Sequence, residues 1–391
     1  MRFTPSLLFL QVIAISLSAQ SVDSTQVDLI DILVGKEKIE KTNQNRSARK
    51  IHFTILPTSS SIPGGGTAII TAVNAAFVLG DPTLTNVSNI YIIPYTNFAG
   101  KYGLYLRPNI WLNKNQWNLI GDYRIAHIPQ YTWGLGGNTS ELSRTLVDTD
   151  YLRIYQTALR RIGQDVYVGI GYELDYHYNI SEREITTSGN LDNYPLETKD
   201  PNVSSGFSVD FSFDKRYNAL NPPRGGYFYT SWRINTTWMG SDQNYQTLFM
   251  DARKYFRLQE IPLRIFALRS YYWTVLSGNS PYLNLPTTAN APVTGLASRG
   301  FEFSRYRSNA MLYFEAEQRY QLTSNGLFGL VLFANIASAS EFDTQQFKYW
   351  QLGGGIGLRT KLNKYSNSNI AVDFGFSSNY WSVWLILGEA F

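Results

Sequence analysis

An arginine at the tip of a long connection and two carboxylates on the segment that follows are the residues in this chain best suited to grip one another. Arg299 stands in Ser298-Arg299-Gly300-Phe301, and Glu315 and Glu317 lie two apart in Tyr313-Phe314-Glu315-Ala316-Glu317. The chemistry is recognition. A planar guanidinium holds a carboxylate through two parallel hydrogen bonds, a geometry that lysine cannot copy. Gly300 gives a sharp tip the backbone freedom it needs. The bland alternative is an external turn, with strand charges that merely hydrate. What must position the carboxylates is the segment from Arg307 to Tyr320. There Ser308, Ala310, Leu312, Phe314, Ala316, Gln318 and Tyr320 alternate with a face holding Tyr313, Glu315, Glu317 and Arg319. Charge on one side of a period of two marks a strand between two solvents. In a membrane barrel the charged side is the lumen.

Composition narrows the setting. Residues 1–20 carry Arg2, an apolar run from Leu7 to Leu17 and small residues at Ser16, Ser18 and Ala19, which reads as a cleaved secretory signal. The run is too short to span a bilayer, and no later stretch reaches the length of a membrane helix. The chain has no cysteine, so a disulfide framework and a lipidated cysteine are both excluded. Aromatics are 15% of residues, with 27 Tyr and 22 Phe, while charged residues are only 16%. Many tyrosines and few charges suit a barrel with aromatic girdles. The net charge of +4 is small and scattered, which argues against a nucleic-acid surface.

Residues 21–50 are too few to fold as a domain of their own. They hold an apolar patch from Val27 to Val34, then a tail from Lys36 to Lys50 with six basic and two acidic residues. The patch reads as a short amphipathic docking helix or as part of a plain periplasmic tether, and the tether is the expectation. Beyond it, strands are expected near 51–60, 67–79, 87–98, 101–112, 116–128, 150–162, 165–178, 203–214, 226–238, 245–258, 263–274, 307–320, 326–337, 350–362, 369–377 and 380–391. The implied fold is all-β, a transmembrane antiparallel β-barrel of 16 strands over residues 51–391. Alternation turns Arg107, Asp122, Arg124, Arg153, Glu173, Asp175, Asp210, Asp251, Arg253, Glu315, Glu317, Arg319, Arg359 and Asp373 into the lumen. The segments 89–98 and 263–273 give no clear face. Pro57 in the first strand suits an edge, because proline cannot donate to a ladder, and the only edge in a barrel is its seam.

Several stretches together resemble the outer-membrane assembly-factor superfamily, the BamA and TamA type barrels also called bacterial surface antigens. They are the loop ending in Ser298-Arg299-Gly300-Phe301 and the stretch Tyr131-Thr132-Trp133-Gly134-Leu135-Gly136-Gly137-Asn138-Thr139. A third runs from Phe213-Asp214-Lys215-Arg216 to Pro222-Pro223-Arg224-Gly225-Gly226-Tyr227. The last strand adds Trp381, Val383, Leu385 and Leu387 on one face and ends on Phe391, with Glu389 interrupting that face. The resemblance implies that the loop folds into the barrel, with Arg299, Gly300 and Phe301 as a latch and Glu315 and Glu317 as its wall partners. Asn335 falls where the family has a second acidic partner, and Arg216-Tyr217 stands where the family often has Arg-Asp. It also implies an outer-membrane location, a seam that pairs incompletely, and a C-terminal strand read by assembly machinery. Family members that run that machinery carry polypeptide-transport-associated (POTRA) domains where residues 21–50 stand here, so the expectation is a short member without them.

Catalysis finds little support. His52, His127 and His177 lie apart and none belongs to a nucleophile or metal motif, with His127 expected to face outward and His177 to sit near a rim. Gly64-Gly65-Gly66 and Gly353-Gly354-Gly355 read as a turn and a close-packed strand, not as phosphate cradles. No enzyme activity, cofactor or metal is implied. The functional expectation is protein insertion or translocation in the outer membrane, with lipid, outer-membrane or surface protein clients and periplasmic proteins as partners. The alternative is a passive pore or structural surface barrel that keeps the fold without the activity.

Overall fold

Strict alternation, repeated along the chain, leaves each strand with one face for lipid and one for a polar interior, and the sheet curls to separate the two. The computed structural model describes residues 26–34 and 51–391, apart from 62–66, 82, 99, 128, 184–193, 195–199, 217, 219, 293–297, 366 and 379. Among these described residues seventeen strands form one sheet. They are β1 Ile51–Ser61, β2 Thr67–Phe77, β3 Ser88–Thr96, β4 Tyr102–Leu112, β5 Trp117–His127, β6 Gln130–Thr132, β7 Thr145–Gly163, β8 Val166–Arg183 and β9 Asn202–Asp214. There follow β10 Gly225–Asn235, β11 Tyr245–Gln259, β12 Arg264–Gly278, β13 Ala310–Gln321, β14 Phe328–Ala339, β15 Gln351–Asn363, β16 Ser368–Ser377 and β17 Tyr380–Leu387. Where the sequence gives sixteen, the additional strand is β6. It pairs with the upper end of β7, which begins at Thr145 and so runs beyond the expected span.

All pairings are antiparallel between neighbours in the chain, with β5 also pairing directly with β7. Among the described residues β1 ladders with β2 alone and β17 with β16 alone, although β1 and β17 lie beside each other. The ladder of β1 runs unbroken through Pro57, which stands opposite Thr71. An edge strand permits this, since the missing donor can fall on the unpaired side.

The faces follow the alternation. Ile170, Leu352, Trp381 and Val383 stand exposed outside, while Glu173, Asp175, Asp210, Asp251, Glu315, Glu317, Arg319 and Asp373 are buried within. The lumen is packed with charge pairs. Asp251 binds Arg253 and Arg269 at 2.7 and 2.8 Å, and Asp175 binds Arg233 at 2.6 Å and Arg153 at 3.2 Å. The stretch 263–273, which gave no clear face, turns Ile265, Ala267, Arg269 and Tyr271 inward. His127 lies at the outer rim, 2.9 Å from Asp150 and 3.1 Å from Asp148. His177 is inside, stacked on Tyr151 with ring centroids 4.4 Å apart.

The tether expected for residues 21–50 is corrected for residues 26–34. Helix α1, Leu29–Val34, is capped reciprocally: the Asp31 N–H donates to Asp28 Oδ1 at 2.9 Å and the Asp28 N–H to Asp31 Oδ2 at 3.1 Å. Lys364, in the β15–β16 turn, donates its backbone N–H to Asp28 at 2.9 Å and its ammonium to Asp31 at 2.8 Å. Val27 donates to the Asn325 carbonyl at 3.0 Å in the β13–β14 turn. The helix is docked under the barrel at the end where the short turns lie. The expected signal peptide, and the rest of residues 21–50, fall outside the described residues.

Candidate functional site

The 279–309 loop between β12 and β13 enters the barrel. Its tip is a tight turn in which the Phe301 N–H donates to the Ser298 carbonyl at 3.0 Å, with Ser298 and Gly300 at φ of +64° and +87°. The left-handed backbone at Gly300 is one reason for glycine. Space is the other: a Cβ there would lie 2.8 Å from both N and O of Phe376 on β16. The opposing Gly375 is equally crowded, its own Cβ falling 2.8 Å from the Gly300 nitrogen. Backbone meets backbone here because neither residue has a side chain.

This contact aims Arg299 at the wall. Its Nε donates to Glu315 Oε1 at 3.1 Å, its Nη2 contacts both Glu315 and Glu317, and its Nη1 contacts Asp373 on β16. The guanidinium carbon lies 3.9 Å from the centroid of the Phe333 ring on β14, so a π face covers the plane while carboxylates fill the edge. Tyr313 donates to the other oxygen of Glu315, and Arg319 pairs with Glu317. Arg359 contacts Asp373 from the next strand. Arg299 is 1% exposed, with every nitrogen of its guanidinium engaged. Burial penalises the charge, and the three carboxylates around it offset that cost.

Asn335 does not complete this ring of acids. Its amide donates instead to the Arg299 backbone carbonyl at 2.9 Å. The acidic partner that the sequence reading did not name is Asp373, which it placed in the lumen but not beside Arg299. Phe301, 1% exposed, packs in an aromatic cluster with Tyr227, Tyr229, Phe249, Tyr271 and Tyr313.

The base of the loop is held by the 131–139 stretch. The Gly136 N–H donates to the Arg307 carbonyl at 2.8 Å, and Arg305 donates to the Thr139 carbonyl at 2.9 Å while lying over Trp133. Gly137 donates to Glu341 at 3.1 Å, which brings in the β14–β15 connection. Tyr282, Leu283 and Leu285 pack with Val147 and Tyr194, so several connections close over the outer mouth. The third stretch also has a place: Arg216 grips Asp214 at 2.9 and 2.7 Å and stacks on Tyr227 at 4.3 Å.

The family model for the Omp85 superfamily domain matches residues 97–378. The chain belongs to the Omp85 superfamily. It is therefore an outer-membrane β-barrel, and solved structures agree on the fold. BamA from Haemophilus ducreyi lacking POTRA domains 1–3 matches at 13% identity and a TM-score of 0.53, over 87% of this chain and 70% of that one. CdiB from Acinetobacter baumannii matches at 11% and 0.53, covering 86% of this chain and 59% of that one. CdiB from Escherichia coli matches at 11% and 0.55, covering 86% and 62%. The Omp85 chain here thus spans about three fifths of each CdiB chain. No curated protein matches the sequence.

One expected group of this Omp85 barrel is rearranged. Trp381 and Val383 face outward, but Leu387 is buried and Phe391 does not share their face. Strand β17 ends at Leu387, Gly388 takes φ +105°, and the chain turns into the lumen. Phe391 packs against Tyr255 at 6.2 Å, and its carbonyl accepts from Arg319 at 2.9 Å. Glu389, read as a flaw in a lipid face, receives Arg359 at 2.8 Å and Asn369 at 2.6 Å. A charged residue followed by an aromatic one, after a glycine, was the available signal for an inward turn.

Proposed function

We propose that this barrel assembles or secretes proteins of the outer membrane, guiding a client strand at the seam between β1 and β17 without a chemical step. The observation that carries the reading is the seam: the two strands lie side by side, yet among the described residues each ladders only with its other neighbour. Unpaired backbone groups at such an edge are a template for an added strand. The clients are then outer-membrane or surface proteins, delivered by periplasmic partners, and no cofactor is needed. The latch serves this work by fixing the wall formed by β13 to β16, so that opening is confined to the seam.

The interior supports this reading over a passive pore. The outer mouth is covered by the packed loops, Arg299 and its partners occupy the lumen, and residues 388–391 cross from β17 to β11, β12 and β13. The test is quantitative proteomics of the outer membrane after depletion, with rescue by the wild-type copy or by Arg299→Ala at matched abundance. Loss of a set of other barrel or surface proteins, restored by wild type alone, is the expected result. If only this protein disappears, and the purified barrel conducts steadily in planar bilayers, the reading is wrong and a pore takes its place.

A further inference from the structure

The outer wall carries a groove that the assembly reading does not use. It spans β11 to β15 and has a volume of about 560 Å³, within the usual range for small-molecule sites of roughly 300–1,000 Å³. Its walls are Leu268, Phe314 and Leu352, and its floor includes Ala316 and Ala334, which stand opposite each other on β13 and β14. All five face outward by the alternation of their strands. At its lower end, opposite Leu268, stands Lys254.

A lysine on the lipid face needs a reason, because the cost of such a charge rises with depth in the bilayer. Lys254 is exposed, and among the described residues no carboxylate pairs with it; its ammonium lies 5.7 Å from the centroid of Phe256. Phe256 and Phe266 stack at 6.4 Å on the side toward the short turns, and β12 begins there at Arg264. Lys254 therefore stands one step inside the aromatic girdle, where a long stem can lift its charge to the interface. The acid nearby in sequence, Glu260, is engaged with Arg257 at 2.6 Å. The side chain also has room, because Gly226 faces it across the ladder and a Cβ there would meet only the Arg253 carbonyl at 3.6 Å and the Lys254 Cδ at 3.7 Å, both ordinary contacts.

We propose that this groove binds one diacyl phospholipid of the periplasmic leaflet, with its phosphate on Lys254 and an acyl chain over Ala316 and Ala334. Three features argue for lipid over a protein segment. The groove opens to the hydrocarbon belt, its outward-facing lining is apolar apart from Ser270 and Lys254, and the Lys254 charge, which its stem can lift to the interface, has the sign that a phosphate requires. A protein strand would instead need an unpaired sheet edge, and β11 to β15 are paired on both sides.

The experiment is native mass spectrometry of the full-length barrel in detergent, titrated with dipalmitoyl phosphatidylglycerol and, separately, with dipalmitoyl glycerol. The wild type should keep one phosphatidylglycerol at collision energies that strip all others. Lys254→Met should lower that retained fraction about tenfold while leaving the uncharged lipid's weaker binding unchanged, as loss of a charge-assisted contact predicts. Ala334→Trp, which fills the floor, should lower both. Val209→Trp, exposed on β9 and outside the groove, should change neither. Heat-modifiable gel mobility checks that each variant is folded, and Lys254→Met alone keeps the test decisive if Ala334→Trp does not fold. Equal retention by wild type and Lys254→Met overturns the proposal. So does a photocrosslinker at Ser270 that captures a protein in cells while the purified barrel holds no lipid.

Discussion

Asn335 holds the backbone of Arg299 and leaves the guanidinium to others. Its amide donates to the Arg299 carbonyl at 2.9 Å, while its own Oδ1 has no hydrogen-bond partner among the described residues. An acid at this position would therefore face a carbonyl, close to three carboxylates already engaged. Asn335→Asp is expected to destabilise the barrel by about 1–3 kcal/mol, the cost of a buried donor lost and a carbonyl left unpaired. The temperature at which the protein loses its compact gel mobility reads this directly. A rise in that temperature would show that the position wants an acid after all.

Removing the arginine should cost more. Arg299→Ala leaves Glu315, Glu317 and Asp373 facing one another without the cation between them, though Arg319 and Arg359 remain. A broken buried pair costs about 3–5 kcal/mol. Arg299→Lys is expected to recover only part of this, because an ammonium cannot place paired donors on Glu315 while spanning to Asp373. Thermal unfolding of the two variants side by side checks the order; lysine equal to wild type would mean that charge alone suffices.

Gly300 carries two independent demands, a positive φ and a backbone approach to β16. Gly300→Ala adds the left-handed cost of roughly 1–2 kcal/mol and a clash with Phe376 that rigid strand backbone cannot relieve. The tip should leave the wall. Hydrogen exchange should then speed up at Ser298 to Phe301 and at Gly375 and Phe376 together; unchanged protection at both would sink the account of close packing.

The faces of the strands, and so the pair Glu315 and Glu317, were legible because alternation is a local property. Asp373 was legible as a lumen residue but not as a partner of Arg299, since three strand pairings separate β13 from β16 and only the curled sheet brings them together. The turn of residues 388–391 was missed for a related reason. Alternation extrapolates through Gly388, whereas a φ of +105° ends the period there and sends Phe391 to Tyr255. Helix α1 was one of two readings of the apolar patch, and the signal that favours it over a tether is Asp28 and Asp31, spaced as a reciprocal cap.

Glu302 gives the loop a pH dependence. Burial, and then the nearby Glu141, raise its pKa above the ordinary 4.5. An acid raised in the folded state contributes stability that is present below its unfolded value and is lost as pH rises through the folded one. At neutral pH the ionised group thus opposes the packed loop. Glu302→Gln should raise the unfolding temperature at about pH 7 and leave it unchanged near about pH 4, where the wild-type group is itself mostly neutral. A gain of equal size at both values would assign the effect to packing and not to charge.

The seam makes the sharpest demand on dynamics. Among the described residues β1 pairs only with β2, whereas β12 is laddered on both sides from Arg264 to Thr274. Backbone amides exchange through local opening, and a strand held on one side opens at lower free energy than one held on two. Amides of Ile51–Ser61 are therefore expected to exchange much faster than those of β12. The Arg299→Ala variant should loosen β13 and β16 without slowing exchange in β1, since the latch grips the wall and not the seam. Exchange throughout β1 as slow as in β12 would mean that the barrel is closed by a full ladder, and the template for an added strand would not exist.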